Sequence, residues 1–382
     1  MNNGGFISNS KLMLVTKELD RTPSGGRELL CKLNHDVLKE IYGRDLVVFE
    51  LPRQHLLGMR SIVKAFRGHI DGLDSKTMDR ALRLIRSENI GKVFVDGSNL
   101  GSFVKVVKAR LPHVEVTVFF HNVEVRFFWG SLREKGSLRA MVVLIVNYLA
   151  ERRSVRRSDN VICLSQRDGR LLQRVYGRSA THVSSMALAD KMPADFPQCA
   201  MPPPEKFALF VGGVFYANRA GIAWFVKNVV PRIEIKTFIV GQGFEGFRQE
   251  LERDGKVEVV GSVDELADWY RNAHFVIAPI FDGSGMKTKV AEALMFGKKV
   301  VGTPEAFSGY EHLANKAGWV CATADDFVAA IARAQSEVTR SFDPEMRALY
   351  NENHSFAAAK CRLAGILEPA TAASPKRSPL QC

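Results

Sequence analysis

The chain has 382 residues, 46% of them hydrophobic and 25% charged, which is typical of a soluble globular protein and allows two hydrophobic cores. Its six cysteines are scattered, with no Cys-x-x-Cys pair or His/Cys cluster, which argues against a disulfide framework or a zinc site and predicts a cytoplasmic protein. The net charge of +12 lies entirely in residues 1–200, where 32 Lys and Arg outnumber 20 Asp and Glu, and this predicts an anionic partner: nucleic acid, acidic lipid headgroups or an anionic small molecule.

The first half of the chain alternates strand and helix patterns. Residues 1–10 lack the basic and apolar regions of a signal peptide and are predicted to be an N-terminal extension. Segments 26–43 and 137–153 have helical periodicity, and the longest apolar run, 140–150, is about half of a bilayer span. Short β-rich runs indicate strands at 11–16, 45–51, 92–97, 114–120 and 160–165. The alternation predicts a Rossmann-like domain over residues 11–190, with parallel strands and helices on both faces.

A proline-rich segment separates the two halves. Five prolines lie within residues 191–206, and we interpret 191–205 as an interdomain linker. The alternation then restarts and predicts a second Rossmann-like domain over 206–342, then C-terminal helices over 343–370 and a disordered tail over 371–382. Its predicted strands are 207–213, 236–241, 256–261, 274–279, 298–303 and 317–322, and helices are predicted over 219–229, near 244–253 and near 263–272. Two facing α/β domains leave a cleft at the carboxyl ends of their strands, where ligands of such folds bind.

Residues 281–302, FDGSGMKTKVAEALMFGKKVVG, place a glycine loop, two lysines and a glutamate where a helix begins. The unpaired N–H groups and the dipole of a helix N-terminus favour an anion. Lys287 and Lys289 lie in the predicted first turn, where a lysine is unfavourable without an anion, and Glu292 can reach a sugar hydroxyl from the same side. This pattern suits a nucleotide diphosphate with its ribose. It matches neither a Walker A motif nor Gly-x-Gly-x-x-Gly, and a strand–loop–helix turn with solvated lysines is the alternative.

Three runs in the second half resemble the C-terminal donor-binding domain of retaining GT-B glycosyltransferases, the large glycosyltransferase family 4 and its relatives. They are ALFVGGVFYANRAGIAWFVKNVVP, VEVVGSVDELADWYRNAHFVIAP and APIFDGSGMKTKVAEALMFGKKVVGT. Residues 119–128 and 158–177 resemble segments of the same enzymes' N-terminal domain. The resemblance covers most of residues 90–310. It implies an α/β GT-B fold, in which two Rossmann-like domains face each other across an interdomain cleft, the N-terminal one for the acceptor and the C-terminal one for the nucleotide sugar.

The resemblance also implies roles for residues of the glycine loop. Glu292 matches a glutamate that hydrogen-bonds the donor ribose, and Lys287, with Lys289 as its neighbour, matches the pyrophosphate-binding lysine. The first glutamate of the family's Glu-x7-Glu motif falls on Ser284, which has no carboxylate. Backbone N–H groups could still bind sugar hydroxyls there; they belong to Gly283, Ser284, Gly285 and Met286.

Candidate residues lie at other strand ends as well. Gly212 and Gly213 either allow a close approach of phosphate or form an ordinary turn. Gly25 and Gly26 lie, by resemblance, in a loop over the reaction centre that approaches donor phosphate or acceptor; a flexible connector is the alternative. His121 ends a strand and, by resemblance, contacts the transferred sugar; a structural histidine is the alternative.

The resemblance implies catalysis without a metal, a cofactor or a protein nucleophile. The sequence has no Asp-x-Asp triplet and no convincing Ser-His-Asp or Cys-His spacing. In retaining enzymes of this fold the leaving diphosphate helps to deprotonate the acceptor on the same face. The rate enhancement would then come from charge stabilisation of the diphosphate by Lys287, nearby N–H groups and the helix dipole.

The basic first half contains segments that could meet a membrane. Residues 51–70 carry four cations and no acidic residue, and their apolar residues share one helical arc beside the cations. The segment is either an interfacial helix or a core-facing helix with solvated cations. Residues 151–158 add four arginines, and residues 126–130 add aromatic side chains. Docking on an anionic membrane surface would suit an enzyme with a lipid-linked acceptor.

Together these patterns predict a glycosyltransferase of hexosyltransferase type. It would move a sugar from a nucleotide diphosphate-sugar to a saccharide or lipid-linked acceptor with retention, in surface polysaccharide or glycolipid synthesis, in the cytoplasm or peripherally on the inner face of the membrane. Three alternatives remain: a nucleotide-sugar epimerase of the same fold, a nucleic-acid-binding protein with a basic surface, and a non-catalytic carbohydrate-binding relative. Against nucleic acid, the sequence shows no helix-turn-helix, zinc-finger or RNP-like pattern.

Overall fold

The computed structural model describes residues 10–17, 19, 26–52, 59–196 and 206–369, without the side chains of 59–62 and 134–135. The chain divides into two units, Met1–Ser185 with Ala359–Cys382, and Met186–Ala358. The predicted linker therefore falls within the second unit, and its residues 197–205 lie outside the described residues, as do Gly25 and the predicted tail. In the described part of the chain, no helix combines the length and the apolar character that crossing a membrane requires.

The first unit is built on a six-stranded parallel sheet with the order β2-β1-β3-β4-β5-β6. Its strands are β1 Leu12–Lys17, β2 Leu46–Leu51, β3 Lys92–Asp96, β4 Glu115–Phe120, β5 Asn160–Cys163 and β6 His182–Val183. Its helices are α1 Gly26–Tyr42, α2 Met59–Phe66, α3 Ser75–Ser87, α4 Gly101–Arg110, α5 Glu124–Lys135, α6 Leu138–Arg157 and α7 Gln166–Tyr176. The central strands are almost continuously apolar and buried, as a parallel sheet covered on both faces requires.

The second unit repeats this design with the sheet order β12-β11-β10-β7-β8-β9, and all its strand pairs are parallel. Its strands are β7 Phe207–Val211, β8 Lys236–Val240, β9 Val257–Gly261, β10 Phe275–Ala278, β11 Val300–Gly302 and β12 Gly318–Val320. Its helices are α8 Tyr216–Asn228, α9 Arg248–Leu251, α10 Ala267–Asn272, α11 Thr288–Met295, α12 Ala314–Ala317, α13 Ala324–Glu337 and α14 Pro344–Asn353, and α15 Phe356–Leu367 leads out of it. The prediction of two Rossmann-like α/β domains is confirmed, while the cleft between them stays a prediction.

The C-terminal residues pack on the first unit. Tyr42 donates a hydrogen bond from its hydroxyl to Glu368 (2.6 Å), and Lys92 Nζ contacts both Glu368 Oε1 and Leu367 O at 2.6 Å. Leu363 is buried. The sequence predicts helices over 343–370 but does not show that the last of them returns to the first sheet.

Some elements differ from the prediction. The helix predicted near residues 244–253 is a 3₁₀ turn, Phe244–Phe247, followed by the single turn of α9. Of the helix predicted over residues 51–70, the described part is α2, while Leu51 pairs in β2 and residues 53–58 lie outside the described residues. The two-residue strand β6 was missed, since so short a run carries no periodic pattern.

Candidate functional site

In the second unit, Lys289 lies beside the carboxyl end of β7. Its Nζ donates to Asn218 Oδ1 at 2.8 Å and lies 5.0 Å from the ring centroid of Phe210, and the residue is only 8% exposed. A Cβ atom on Gly212 would lie 2.9 Å from that Nζ, so glycine at this position leaves room for the lysine. Burial lowers the pKa of Lys289 to about 8, against the raising effect of Glu292. A mostly buried ammonium therefore lies at the sheet edge where α/β proteins bind ligands.

Lys287 lies one residue outside the helix rather than in its first turn as predicted. It is the N-cap of α11, with φ −91° and ψ 119°, and the helix begins at Thr288. Its Nζ contacts Glu305 Oε1 at 2.8 Å and Gly285 O at 3.0 Å, and both charged side chains are largely buried. The charge of Lys287 is therefore balanced by Glu305, a residue that sequence reasoning missed.

Glu292 lies on α11 and is half-buried. The hydroxyl of Tyr270 donates to its Oε2 over 3.4 Å, a long contact, and Tyr270 is fixed by stacking on Phe296. Burial raises the pKa of Glu292, against the lowering effects of Lys191 and Lys289. A half-buried carboxylate with one long hydrogen bond can accept further hydrogen bonds from hydroxyl groups.

The glycine loop between β10 and α11 has the backbone that its sequence predicts. Gly283 and Gly285 have φ values of +128° and +68°, which favour glycine. The N–H of Gly283 already donates to Asp282 Oδ1 at 2.7 Å, so it is occupied, although the sequence offers it for sugar hydroxyls. Ser284 Oγ is buried and has no hydrogen-bond partner among the described residues. An unpaired buried hydroxyl is costly, and a ligand that bonds to it would remove that cost.

The other predicted loop residues are placed as follows. Met286 is buried, and its side chain occupies the space beside Gly309. Gly213 is exposed, and its carbonyl accepts from Asn218 Nδ2 at 2.9 Å. Gly26 is the exposed first residue of α1 in the first unit. Of the predicted donor-binding residues in the second unit, the structure thus brings Gly212 and Lys289 together, and it adds the amide of Asn218, which was not predicted.

In the first unit, His121 is held by a carboxylate that the sequence did not connect with it. His121 Nε2 lies 2.8 Å from Asp96 Oδ1, and Asn34 Nδ2 donates to the same oxygen at 2.9 Å. Although burial opposes ionisation, His121 and Asn34 lower the pKa of Asp96. An ionised Asp96 favours a proton on Nε2, so in the tautomer that pairs with Asp96 the acceptor nitrogen is Nδ1. That Nδ1 is buried and has no partner among the described residues.

Charged and polar side chains surround this histidine at the carboxyl edge of the first sheet. Arg27, in the first turn of α1, approaches Asp71 at 3.5 Å and Glu124 at 3.9 Å. Burial raises the pKa of Glu124, although Arg27 opposes the shift. Arg27 Nε and Asn122 Oδ1 are buried without partners among the described residues. Together with His121 Nδ1, three polar atoms at this edge of the sheet therefore have no partner among the described residues.

Cys31, Asp96 and His121 are the one set of metal-ligand side chains in the described part of the chain whose ligand atoms lie within 4.8 Å of one another. Sequence spacing could not show this set, because Cys31 is 90 positions from His121. Two of its three members are already paired by the hydrogen bond between Asp96 and His121. Burial also raises the pKa of the Cys31 thiol, which opposes the thiolate that a metal needs. The geometry favours an oriented histidine over a metal centre.

The predicted membrane segments of the first unit are exposed only in part. In α2, Val63 and Phe66 are exposed, as are Lys64 and the following Arg67. Residues 151–158 form the last turns of α6 and the residue after it. Of the aromatic residues at 126–130, Trp129 is 55% exposed.

Residues 205–337 match the family model of glycosyl transferases group 1. The matched residues lie within the second unit and include the glycine loop, Lys289 and Glu292. The prediction of a glycosyltransferase is thereby confirmed, while assignment to family 4 stays a prediction. No curated protein matches the chain.

Solved glycosyltransferase structures share the fold of the whole chain. Sucrose-phosphate synthase from Thermosynechococcus elongatus is 16% identical with a TM-score of 0.69, and the match covers 94% of this chain and 98% of that one. HepE from Anabaena in complex with UDP-glucose is 12% identical with a TM-score of 0.63, covering 94% and 100%. The lipopolysaccharide outer core galactosyltransferase WaaB is 12% identical with a TM-score of 0.62, covering 93% and 98%. The two Rossmann-like units of this chain thus have the fold of GT-B glycosyltransferases.

Proposed function

We propose that this group 1 glycosyltransferase moves a hexose from a UDP-sugar to a saccharide or lipid-linked acceptor with retention of configuration, in surface polysaccharide or glycolipid synthesis. The UDP-glucose bound to HepE supports the choice of donor, and the lipopolysaccharide acceptor named for WaaB supports the biological setting. The observation that carries the proposal is the buried ammonium of Lys289 beside Gly212.

Lys289 is the cation that we assign to the diphosphate. Its partner Asn218 is neutral, so the ammonium keeps its charge for a ligand, whereas the charge of Lys287 is balanced by Glu305. A diphosphate brings at least two negative charges to this site, and these raise the pKa of Lys289 and keep it protonated. The N-terminal N–H groups and the dipole of α11 add to the same stabilisation of the leaving group, so no metal is required.

Glu292 and Ser284 complete the donor site. The weakly bonded carboxylate of Glu292 accepts hydrogen bonds from the ribose hydroxyls, and the unpaired Ser284 Oγ bonds to the sugar where relatives place a glutamate. A neutral hydroxyl in place of a carboxylate weakens the contact with the sugar but does not remove it.

His121 is the sugar-binding residue that we assign to the first unit. Its Nε2–H is held by Asp96, so Nδ1 accepts a hydrogen bond from a sugar hydroxyl. In a retaining transfer of this kind the acceptor proton goes to the leaving diphosphate. The residues of the chain therefore bind, orient and stabilise charge, and none needs to act as nucleophile.

Nucleotide binding tests the donor site. UDP and UDP-glucose should raise the melting temperature, since a ligand at 100 times its Kd stabilises the fold by about 2.7 kcal/mol, whereas ADP- and GDP-sugars should not. Lys289→Met should abolish the shift, and Lys316→Met, at an exposed lysine of the same unit, should keep it. A shift that survives Lys289→Met, or no shift with any nucleotide, would remove the donor site from Lys289.

Product analysis separates transfer from epimerisation. With UDP-glucose and a mixture of saccharide and lipid-linked acceptors, a transferase releases UDP and forms a glycoside whose anomeric configuration equals that of the donor. Conversion of the UDP-sugar into an epimer without any acceptor would instead establish an epimerase.

A further inference from the structure

Exposed apolar side chains in the first unit are concentrated on three helices. Among the described residues of this unit, six of the seven large hydrophobic side chains that face solvent lie on α2, α5 and α6. They are Val63, Phe66, Trp129, Leu138, Met141 and Ile145. Single exposed apolar residues are ordinary, but a group on neighbouring helices indicates an interaction surface.

Helices α2 and α5 both pack against α6. Helices α5 and α6 pack together and are joined by a tight turn, in which Gly136 has φ +57° and the Ser137 hydroxyl accepts from Ala140 N. Helix α2 packs on α6 through Ala65, which belongs to the same apolar cluster as Val142 and Val146. We call the exposed side of these three helices the α5–α6 surface, defined by the six residues named above.

On helix α6 the exposed apolar residues form a regular stripe. Leu138, Met141 and Ile145 recur at helical spacing, and the exposed Arg152 and Arg156 continue the same line. At 100° per residue all five lie within about 60° of one another. The buried residues of α6, including Leu144, Val146 and Ala150, point elsewhere. The exposed face is therefore an apolar stripe that ends in cations, and the core of the unit is packed without it.

The exposed charges that the structure describes on these helices have one sign. Lys64 of α2 and Arg139, Arg152 and Arg156 of α6 are exposed, as is Arg67 just after α2. The acidic side chains described on the three helices, Glu124 and Glu151, are both buried, and Glu151 accepts hydrogen bonds from two backbone N–H groups at the start of α5. An apolar surface whose described exposed charges are all cations matches a layer of anionic headgroups over hydrocarbon.

We propose that the α5–α6 surface docks the protein on an anionic lipid bilayer. In a two-fold dimer formed through this surface, the cations that border the apolar residues would face one another. Their repulsion argues for lipid rather than a second copy of the chain. Trp129, with a large amphipathic ring, suits the headgroup level. That the bilayer supplies a lipid-linked acceptor rests on the proposed function; the docking itself does not.

Vesicle flotation tests the docking with the full chain. The protein should float with vesicles of phosphatidylcholine and phosphatidylglycerol and bind much less to phosphatidylcholine alone. The double variant Leu138→Glu/Ile145→Glu should lose at least about tenfold in vesicle affinity, because two charges would replace buried apolar contacts. Val320→Glu, at an equally exposed valine of the second unit, should bind as the unchanged protein does.

A second variant addresses the cations. Arg152→Ala/Arg156→Ala should weaken binding to anionic vesicles by about tenfold or more, since each cation near such a surface contributes about 1 kcal/mol. Binding should also weaken as salt is added. Equal binding to both kinds of vesicle, or none to either, would overturn the proposal. So would a dimer in sedimentation that dissociates in the Leu138→Glu/Ile145→Glu variant.

UDP binding, measured on the same variants, keeps this proposal separate from the donor site. The melting temperature shift with UDP should be unchanged in both double variants, because the substituted residues belong to the first unit. If the protein binds vesicles but does not bind UDP, the docking proposal is supported and only the proposed function is overturned.

Discussion

At His121, one buried carboxylate decides which imidazole nitrogen carries the proton. Asp96 accepts from Nε2, so the acceptor nitrogen Nδ1 is the one left for a ligand. In Asp96→Asn the amide can donate to Nε2 as well as accept from it, and the preference between tautomers should be lost. We expect kcat/KM to fall by about tenfold to a hundredfold, the loss from removing one charge-assisted hydrogen bond.

Nitrogen NMR of the histidine rings distinguishes this effect from loss of structure. The unchanged protein should show His121 with a protonated Nε2, and Asp96→Asn should show a mixture or the other tautomer while the melting temperature stays close. Asp79→Asn, at an exposed aspartate of the same unit, serves as the control. An unaltered tautomer in Asp96→Asn would contradict the positioning role of Asp96.

The pKa of Lys289 predicts how donor binding depends on pH. Burial lowers this pKa to about 8, so in the free folded protein the ammonium is present below pH 8 and lost above it. Diphosphate binds the protonated form, so UDP affinity should be steady up to about pH 8 and then fall by up to tenfold per pH unit. Calorimetric titration from pH 6.5 to 9.5 measures this. Lys289→Arg keeps its charge and should not show the fall; a parallel fall in that variant would assign the titration to another group.

The same residues show what a sequence can and cannot predict. Lys289, Glu292 and Gly212 could be predicted as candidates because a glycine loop before a helix and a glycine after a strand are local patterns. Asn218 and Asp96 were missed as partners, since Asn218 lies 71 positions from Lys289 and Asp96 lies 25 positions from His121. Such pairs depend on which strands lie side by side, and local periodicity does not contain that information.

At the scale of elements, Gly221 lets α8 lie directly against the backbone that follows β10. A Cβ atom at this position would lie 1.8 Å from Pro279 O, so the helix would have to move. We expect Gly221→Ala to destabilise the protein by about 1–3 kcal/mol, as overpacking does, and to weaken UDP binding by displacing the loop after β10. Denaturant unfolding and UDP titration measure the two effects.

A matched glycine provides the control for that variant. Gly365 is exposed in α15, and a Cβ atom there would have nothing within 4 Å. Gly365→Ala should therefore stabilise the protein by about 0.5–1 kcal/mol through helix propensity. If both substitutions acted in the same direction, close packing at Gly221 would not be the reason for its glycine.

The elements themselves were largely predictable, for a physical reason. Buried parallel strands are short, apolar runs between helices, and eleven of the twelve strands carry that pattern strongly enough to be found. Helices were found where the apolar period extends over three turns or more, as in α1 and α6. Helix α9 failed because four residues contain a single turn, and its limits depend on packing rather than on a period.

At the scale of the whole molecule, the C-terminal return of the chain completes the first unit. Leu363 and Leu367 of α15 are buried, and Glu368 meets Tyr42 and Lys92 of that unit. Burial raises the pKa of Tyr42, and its hydrogen bond to Glu368 acts in the same direction. The first unit therefore consists of two segments separated by some 170 positions, an arrangement that no local pattern reveals.

Truncation tests this dependence. A chain ending at residue 355 lacks α15 and Glu368, so it should expose apolar residues of the first unit and leave Lys92 without its acidic partner. Hydrogen exchange followed by mass spectrometry should show faster exchange in β1, α1 and β3, because removal of a buried helix lowers the free energy of local opening. Exchange in β10 and α11 should stay unchanged, as should UDP binding. A chain ending at residue 369 keeps these contacts and should behave as the full chain; faster exchange in the second unit alone would contradict the return of α15 to the first.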